Sequence, residues 1–168
     1  MKVKTMVQCA LFSALLCICA WLSIPAGNVV FTMQTFGVFL SLLLLGGKRG
    51  TLTVLVYLLL GAVGLPVFSG FRGSVGVLLG PTGGYLWGFA LMAVSYWLVC
   101  ASSKNWALAA VVGLIVCYIT GICQAAFYFG QDAIVAVVLQ SVVPYVIPDG
   151  LKLILALLCA RKLKRFVY

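Results

Sequence analysis

The sequence contains two acidic residues, and one of them, Asp149, lies three residues before a lysine, Lys152. Both belong to an otherwise apolar stretch, residues 147–160, that a basic tail follows. Residues three apart share one face of a helix, so the carboxylate and the ammonium can meet there. A charged residue inside a membrane span costs about 2.5–3.5 kcal/mol, so such residues face a cavity or a partner. The spacing predicts either an ion pair that anchors helix packing or, as we favour, the polar wall of a ligand cavity; a proton relay would need more titratable groups.

The rest of the chain has the composition of a membrane protein. Of its 168 residues 65% are hydrophobic and 8% are charged, and the mean hydropathy is +1.25. Soluble domains carry about 25% charged residues. Helices of about 20 apolar residues cross a bilayer, and several runs approach that length. We therefore predict an all-α integral membrane protein with six transmembrane helices in one bundle, a single domain of residues 1–168. The predicted spans cover about residues 5–24, 33–45, 51–65, 85–101, 106–129 and 148–160.

The basic residues indicate the orientation of these spans. The N-terminus, the loops around residues 47–50 and 102–105, and the C-terminal tail hold nine of the eleven lysines and arginines. Of the other two, Arg72 lies in an outer loop and Lys152 lies inside a span. The positive-inside rule then predicts that both termini are cytoplasmic. Short basic clusters of this kind suit orientation and contact with anionic lipids, so the net charge of +9 does not predict nucleic-acid binding.

A polar segment begins the second predicted span. In "FTMQTFG", residues 31–37, the side chains of Thr32, Gln34 and Thr35 are polar. The alternative for Thr32 is that its side chain caps the helix and has no further role. Because the predicted outer loops are longer and more varied than the inner turns, we expect ligand contacts on this side of the bundle.

A glycine-rich turn, "LLGPTGGYLWG", leads into the fourth predicted span. It lacks the GK[ST] of a phosphate-binding loop. Its glycines allow backbone amides to approach a ligand. Alternatively, Gly84 and Gly88 are spaced to let two helices pack closely.

Aromatic and small residues provide weaker signals. Tyrosines in or beside the predicted spans could line a cavity or lie at the membrane interface; they are Tyr57, Tyr85, Tyr118 and Tyr145. Ala10 and Ala14 form an AxxxA face on the first span, a pattern that lets another helix approach.

The residue inventory argues against catalysis. An enzyme needs a nucleophile with its base, or metal ligands. The chain has no histidine, its carboxylates are Asp132 and Asp149, and its seven cysteines form no CxxC pair. We predict no enzyme, no catalytic residues, no metal and no cofactor. No internal repeat or ring of charges indicates a channel.

Four segments in order, "FTMQTFGVFLSLLLLGGKRG", "VYLLLGAVGLPVFSG", "GVLLGPTGGYLWGF" and "VIPDGLKLILA", resemble the BioY family over nearly the whole chain. Members of this family are the biotin-specific substrate-binding (S) components of energy-coupling-factor vitamin transporters. The resemblance implies a six-helix protein of the bacterial plasma membrane that captures biotin from outside and delivers it by tilting. Its implied partners are a transmembrane coupling subunit, which would meet Ala10 and Ala14, and two ATP-binding-cassette ATPases. A self-sufficient transporter of biotin or a related vitamin is the alternative.

Biotin, the ligand that this resemblance implies, suits the chemistry of the charged pair. Its ureido ring has two N–H donors for the Asp149 carboxylate and a carbonyl oxygen for the Lys152 ammonium. Lys152 could instead meet the carboxylate of the biotin tail, and the role of Arg72 is open. The predicted biotin-binding residues are Asp149, Lys152, Gln34, Thr32, Gly83, Gly84, Tyr85, Tyr57, Tyr145 and Arg72.

Overall fold

A computed structural model describes residues 3–26, 29–103, 105–130 and 134–167, and most of these are helical. Gly27 and Asn28, which together with Pro25 predict a turn after the first span, lie outside the described residues, as do Lys2, Lys104 and Asp132. The elements in chain order are α1 (Val3–Trp21), β1 (Ser23–Ala26), β2 (Val29–Thr32), α2 (Gln34–Leu45), α3 (Gly47–Ala62), α4 (Val75–Leu79), α5 (Gly83–Ser103), α6 (Trp106–Phe129), α7 (Ile134–Ser141) and α8 (Val143–Val167).

Four helical segments within the described residues are long and apolar enough to cross a membrane. They are Val3–Trp21, Gly83–Ser103, Trp106–Phe129 and Ile134–Lys164, the last taking α7 and α8 together. The chain is therefore a multi-pass membrane protein. At about 1.5 Å per residue, the 12 residues of α2 reach only about 18 Å, well short of a hydrocarbon core of about 30 Å. The count of six spans stays a prediction.

α2 lies at the centre of the bundle. All but one of its 12 residues are buried, because α1, α3, α5 and α8 pack around it. A helix that is apolar on every side is typical of a protein core or of a membrane span, and here the neighbouring helices enclose it. Two of its few polar side chains, Gln34 and Thr35, stand at its first turn. The fold thus brings polar groups to one end of an otherwise apolar core.

A two-stranded antiparallel hairpin joins α1 to α2, where the sequence predicted only a turn. Ser23 pairs with Thr32, and Ile24 pairs with Phe31. The first predicted span was wrong at its end, because α1 stops at Trp21 and Ile24 belongs to β1. β-branched and aromatic residues in Val29–Thr32 favour this extended conformation.

The predicted start of the last span was also wrong. Pro148 was assigned to the first turn of a helix, but α8 begins at Val143 and Pro148 lies inside it. The proline at the helix start is Pro144, the second residue of α8, where a missing N–H has no cost. Pro148 removes one backbone hydrogen bond within the helix. Asp149 and Lys152 therefore lie in the second and third turns of α8.

α5 and α6 pack closely along glycines. A Cβ at Gly84 would lie 2.6 Å from the carbonyl oxygen of Thr120, and a Cβ at Gly88 would lie 2.6 Å from the Thr120 hydroxyl. On the facing helix, a Cβ at Gly121 would lie 2.3 Å from the ring of Tyr85. The packing alternative for Gly84 and Gly88 is thus the one that the geometry supports.

Replacing Gly84 by alanine should destabilise the protein. The new side chain would force the backbones of α5 and α6 apart, and overpacking of this kind costs about 1–3 kcal/mol. We expect a lower unfolding temperature in detergent. Gly150→Ala is the matched control, since a Cβ there meets no neighbouring atom within 4 Å. Equal unfolding temperatures for the two variants would contradict the packing role of Gly84.

Candidate functional site

The centre of the candidate site is the ion pair of α8. The Lys152 ammonium donates to Oδ1 of Asp149 at 2.7 Å. The exposed fraction is 3% for Asp149 and 9% for Lys152, so both charges are held away from solvent. Burying one such charge alone costs several kcal/mol, which the partner offsets. The i, i+3 spacing on a helix therefore forms the pair that the sequence predicted.

Two further helices supply donors to the same carboxylate. The Thr35 hydroxyl of α2 donates to Oδ1 at 3.0 Å, and the Tyr118 hydroxyl of α6 donates to Oδ2 at 2.8 Å. A carboxylate has about four acceptor positions, so Oδ2 can accept another hydrogen bond. Lys152 uses one of its three N–H donors in the hydrogen bonds among the described residues. One acceptor and two donors thus stay available to a ligand.

A second polar group stands beside the pair. Thr32 at the end of β2 donates to Oε1 of Gln34 at 3.0 Å, and Nε2 of Gln34 donates to the Tyr57 hydroxyl at 2.7 Å. Tyr57 is completely buried in α3 and is not part of the cavity wall. It therefore fixes the amide of Gln34, while Thr32 and Gln34 face the cavity.

These groups line a cavity of about 280 Å³. Its walls come from α2, α5, α6, α7 and α8, from β2, and from the segment between α3 and α5. The apolar part of the lining consists of Val30, Phe68, Val77, Leu86, Phe89, Leu114 and Cys117. An apolar cavity with a few converging polar groups is the usual form of a small-molecule site. Among the described residues, no three His, Cys, Asp or Glu side chains come together as a metal site requires.

Tyr145 connects the hairpin to α8 at the edge of the cavity. Its hydroxyl donates to the Val30 carbonyl at 3.0 Å and accepts from the Val30 N–H at 3.2 Å. The Tyr145 ring also lies 5.3 Å from that of Phe31. This contact holds β2, and with it Thr32, over the polar end of α2.

Arg72 occupies an exposed part of the cavity lining, in the segment between α3 and α4. Its Nε donates to the Ser69 carbonyl at 3.2 Å, and its backbone pairs with that of Phe68. The neighbouring Phe71 stacks on Trp21 of α1 with ring centroids 5.2 Å apart. Arginine has five N–H donors, so the guanidinium can bind an anion while it keeps the contact to Ser69.

Gly83 and Gly84 serve the packing of the glycine-rich turn. Neither belongs to the cavity lining. The amide of Gln124 on α6 donates to the carbonyls of Leu78 and Gly80, at 3.0 and 2.6 Å. A Cβ at Gly84 would lie 2.7 Å from the Cβ of Gln124, and one at Gly83 would lie 1.9 Å from the Leu78 carbonyl oxygen. Because these positions carry no side chain, α6 can pack against the turn and bind it by hydrogen bonds. The turn carries Val77 and Thr82, two residues of the cavity lining.

The structure brings most of the predicted binding residues together. Seven of the ten line the cavity: Asp149, Lys152, Gln34, Thr32, Tyr85, Tyr145 and Arg72. Tyr85 also donates to the Ser141 carbonyl at 2.9 Å and so joins α5 to α7. Tyr57, Gly83 and Gly84 support the site from outside the cavity.

Thr35 and Tyr118 are the site residues that the sequence prediction left out. Both were polar groups at predicted spans, but nothing in the sequence pairs them with Asp149. A buried carboxylate needs more than one hydrogen-bond donor, and the sequence prediction did not use this requirement. Gln140 and Ser141 also line the cavity, and they belong to α7, which lies between the last two predicted spans.

Ala10 and Ala14 are exposed on α1, beside the exposed Leu11. An adjoining face of α1 is fixed to α3, because the Ser13 hydroxyl donates to the Thr53 carbonyl at 3.0 Å. The small-residue face is thus free to meet another helix, and its partner stays a prediction.

The chain is similar in sequence to one protein family and to several known proteins. The model of the BioY family matches residues 1–168. The chain is 44% identical over 165 residues to the biotin transporter BioY of Thermotoga maritima, covering 96% of each chain. It is 38% identical over 164 residues to a probable biotin transporter BioY of Pyrococcus horikoshii, covering 98% of each.

A solved structure has the same fold. It is the crystal structure of an S-component for biotin from an ECF-type ABC transporter, and it superposes with a TM-score of 0.83 at 29% identity. The match covers 98% of this chain and 92% of the other.

Proposed function

The chain belongs to the BioY family, and we propose that it is the biotin-binding S component of an energy-coupling-factor transporter. It is a transport protein for biotin uptake and not an enzyme. The observation that carries the assignment of its site is the buried Asp149–Lys152 pair in the wall of the cavity. The alternative of a self-sufficient transporter has no specific contact or motif in its favour.

The chemistry of the pair suits the ureido head of biotin. The head has two N–H donors and one carbonyl acceptor, and the pair has an available acceptor position on Oδ2 and available N–H donors on Lys152. Hydrogen bonds to charged groups are about twice as strong as neutral ones, especially away from water. The head would therefore bind between α8, α2 and α6.

The opposite end of the ligand would lie toward Arg72. The biotin tail ends in a carboxylate, and Arg72 is an exposed base in the lining, whereas Lys152 is buried and already paired. The thioether ring and aliphatic tail would contact apolar walls such as Phe68 and Phe89. This arrangement supports the ureido assignment for Lys152 and gives Arg72 the carboxylate.

We propose six spans in one domain of residues 1–168, with both termini in the cytoplasm of a bacterial cell. α2 and α3 would be the two short spans, enclosed by longer helices. The exposed Lys48 and Arg49 in the first turn of α3, and the exposed basic end of α8, support a cytoplasmic position for these helix ends.

The proposed partners are a transmembrane coupling subunit and two ATP-binding-cassette ATPases. The exposed Ala10 and Ala14 are the proposed contact with the coupling subunit, because small residues allow close helix approach. Tilting of the whole S component against that subunit would carry biotin to the inside.

Asp149→Asn should weaken biotin binding about tenfold or more. The change removes the charge from the acceptor and leaves the Lys152 ammonium without its counter-ion, and one charged hydrogen bond contributes about 1.5–3 kcal/mol. Equilibrium binding of labelled biotin to purified protein measures the effect. Ser95→Ala, in α5 and outside the cavity lining, is the control and should bind normally. An unchanged Kd in folded Asp149→Asn protein would show that Asp149 does not bind biotin.

The variant Arg72→Gln should show whether Arg72 contacts the carboxylate end of biotin. We expect it to weaken binding of biotin several-fold and to leave binding of biotin amide nearly unchanged, because the amide lacks the negative charge. Arg49→Gln makes the same change at an exposed turn outside the cavity lining and should alter neither affinity. A loss that is equal for biotin and its amide would argue against a carboxylate contact by Arg72.

A further inference from the structure

Two cations of α8 converge on one aromatic ring at the end of the bundle. The guanidinium carbon of Arg161 lies 5.5 Å from the ring centroid of Trp106, and Nζ of Lys164 lies 5.7 Å from it. Their i, i+3 spacing puts both on the same face of α8. The face of an indole ring attracts cations, so Trp106 holds the two charges together in spite of their mutual repulsion.

Among the residues that the structure describes, this cluster has no acidic counterpart. The sequence contains two acidic residues. Asp149 is paired with Lys152, about three helical turns before Arg161. Asp132 lies outside the described residues and comes three positions after Phe129, the last residue of α6, whereas Trp106 is the first residue of that helix. Arg161 and Lys164 therefore form a site of concentrated positive charge that an external anion would neutralise.

The position of the cluster in the fold indicates the source of that anion. Trp106 begins one candidate membrane span, Trp106–Phe129, and Lys164 ends another, Ile134–Lys164. The ends of spanning helices lie at the depth of the lipid headgroups, where tryptophan is enriched. The phosphates of lipid headgroups are anions that lie at this depth.

A shallow apolar notch continues from the charged side chains into the bundle. Leu43 at the end of α2 and Ala160 of α8 line it together with Trp106, Arg161 and Lys164. Its volume is about 20 Å³, about the space of one water molecule. Buried apolar side chains thus lie directly behind the two exposed charges, with room between them for no more than a small group.

We propose that Arg161, Lys164 and Trp106 form a binding site for the headgroup phosphate of an anionic phospholipid such as phosphatidylglycerol. The Arg161 guanidinium binds the phosphate oxygens through paired N–H groups, and Lys164 adds a point charge. The Trp106 ring supports both side chains, and the glycerol end of the lipid lies at the notch beside Leu43. The site is separate from the biotin cavity and does not depend on the proposed function.

Native mass spectrometry of the purified protein, titrated with phosphatidylglycerol or phosphatidylcholine, tests the site. The variant R161Q/K164Q should lose one bound phosphatidylglycerol, with an affinity reduced about tenfold or more, since each base near a lipid surface contributes about 1 kcal/mol. The matched control K48Q/R49Q removes the same charge at another exposed turn and should keep that lipid. Phosphatidylcholine should bind all three proteins equally.

Equal loss of phosphatidylglycerol in both double variants would overturn the proposal, because it would mean that net charge alone attracts the lipid. Full retention in R161Q/K164Q would overturn it as well. Inorganic phosphate that displaces phosphatidylglycerol at a comparable concentration would reject the lipid as the ligand. Biotin affinity should be unchanged in R161Q/K164Q and serves as the check that the variant is folded.

Discussion

A carboxylate buried in an apolar bundle must be satisfied, and this requirement organises the protein. Asp149 accepts hydrogen bonds from Lys152, Thr35 and Tyr118, so one side chain connects α8, α2 and α6. If any of these helices moved away, a charge or a polar group would be left without a partner at a cost of several kcal/mol. The remaining hydrogen-bonding capacity of the pair faces the cavity. The same constraint therefore stabilises the helix arrangement and leaves hydrogen-bonding groups for the proposed ligand.

Strong local signals allowed much of this to be predicted. The apolar run of residues 106–129 was predicted as a span, and α6 has those bounds, with Asn105 as its N-cap and Gly130 after its end. Asp149 and Lys152 were predicted because a charged side chain in an apolar span needs a partner or a cavity, which limits where it can lie. The four segments that resembled the BioY family predicted the family to which the chain belongs.

Features that depend on tertiary contacts were missed. Pro148 was interpreted as the start of a helix. In the structure the five residues before it are already helical, because α8 begins at Val143, one residue after the end of α7. Gly83 and Gly84 had the pattern of a ligand-binding loop. In the structure, a Cβ at these positions would clash with Leu78, Thr120 or Gln124. Thr120 and Gln124 are distant in sequence, so these contacts could not be predicted. Tyr118 could not be assigned to Asp149, since the two residues are 31 positions apart and meet only when α6 packs near α8.

A structure of the protein with biotin bound would show the orientation of the ligand in the proposed site. We expect the ureido ring to lie within hydrogen-bonding distance of the Asp149 carboxylate and the Lys152 ammonium, with the tail carboxylate toward Arg72. A bound structure in which the tail carboxylate contacts Lys152, and the ureido ring points toward Arg72, would contradict it.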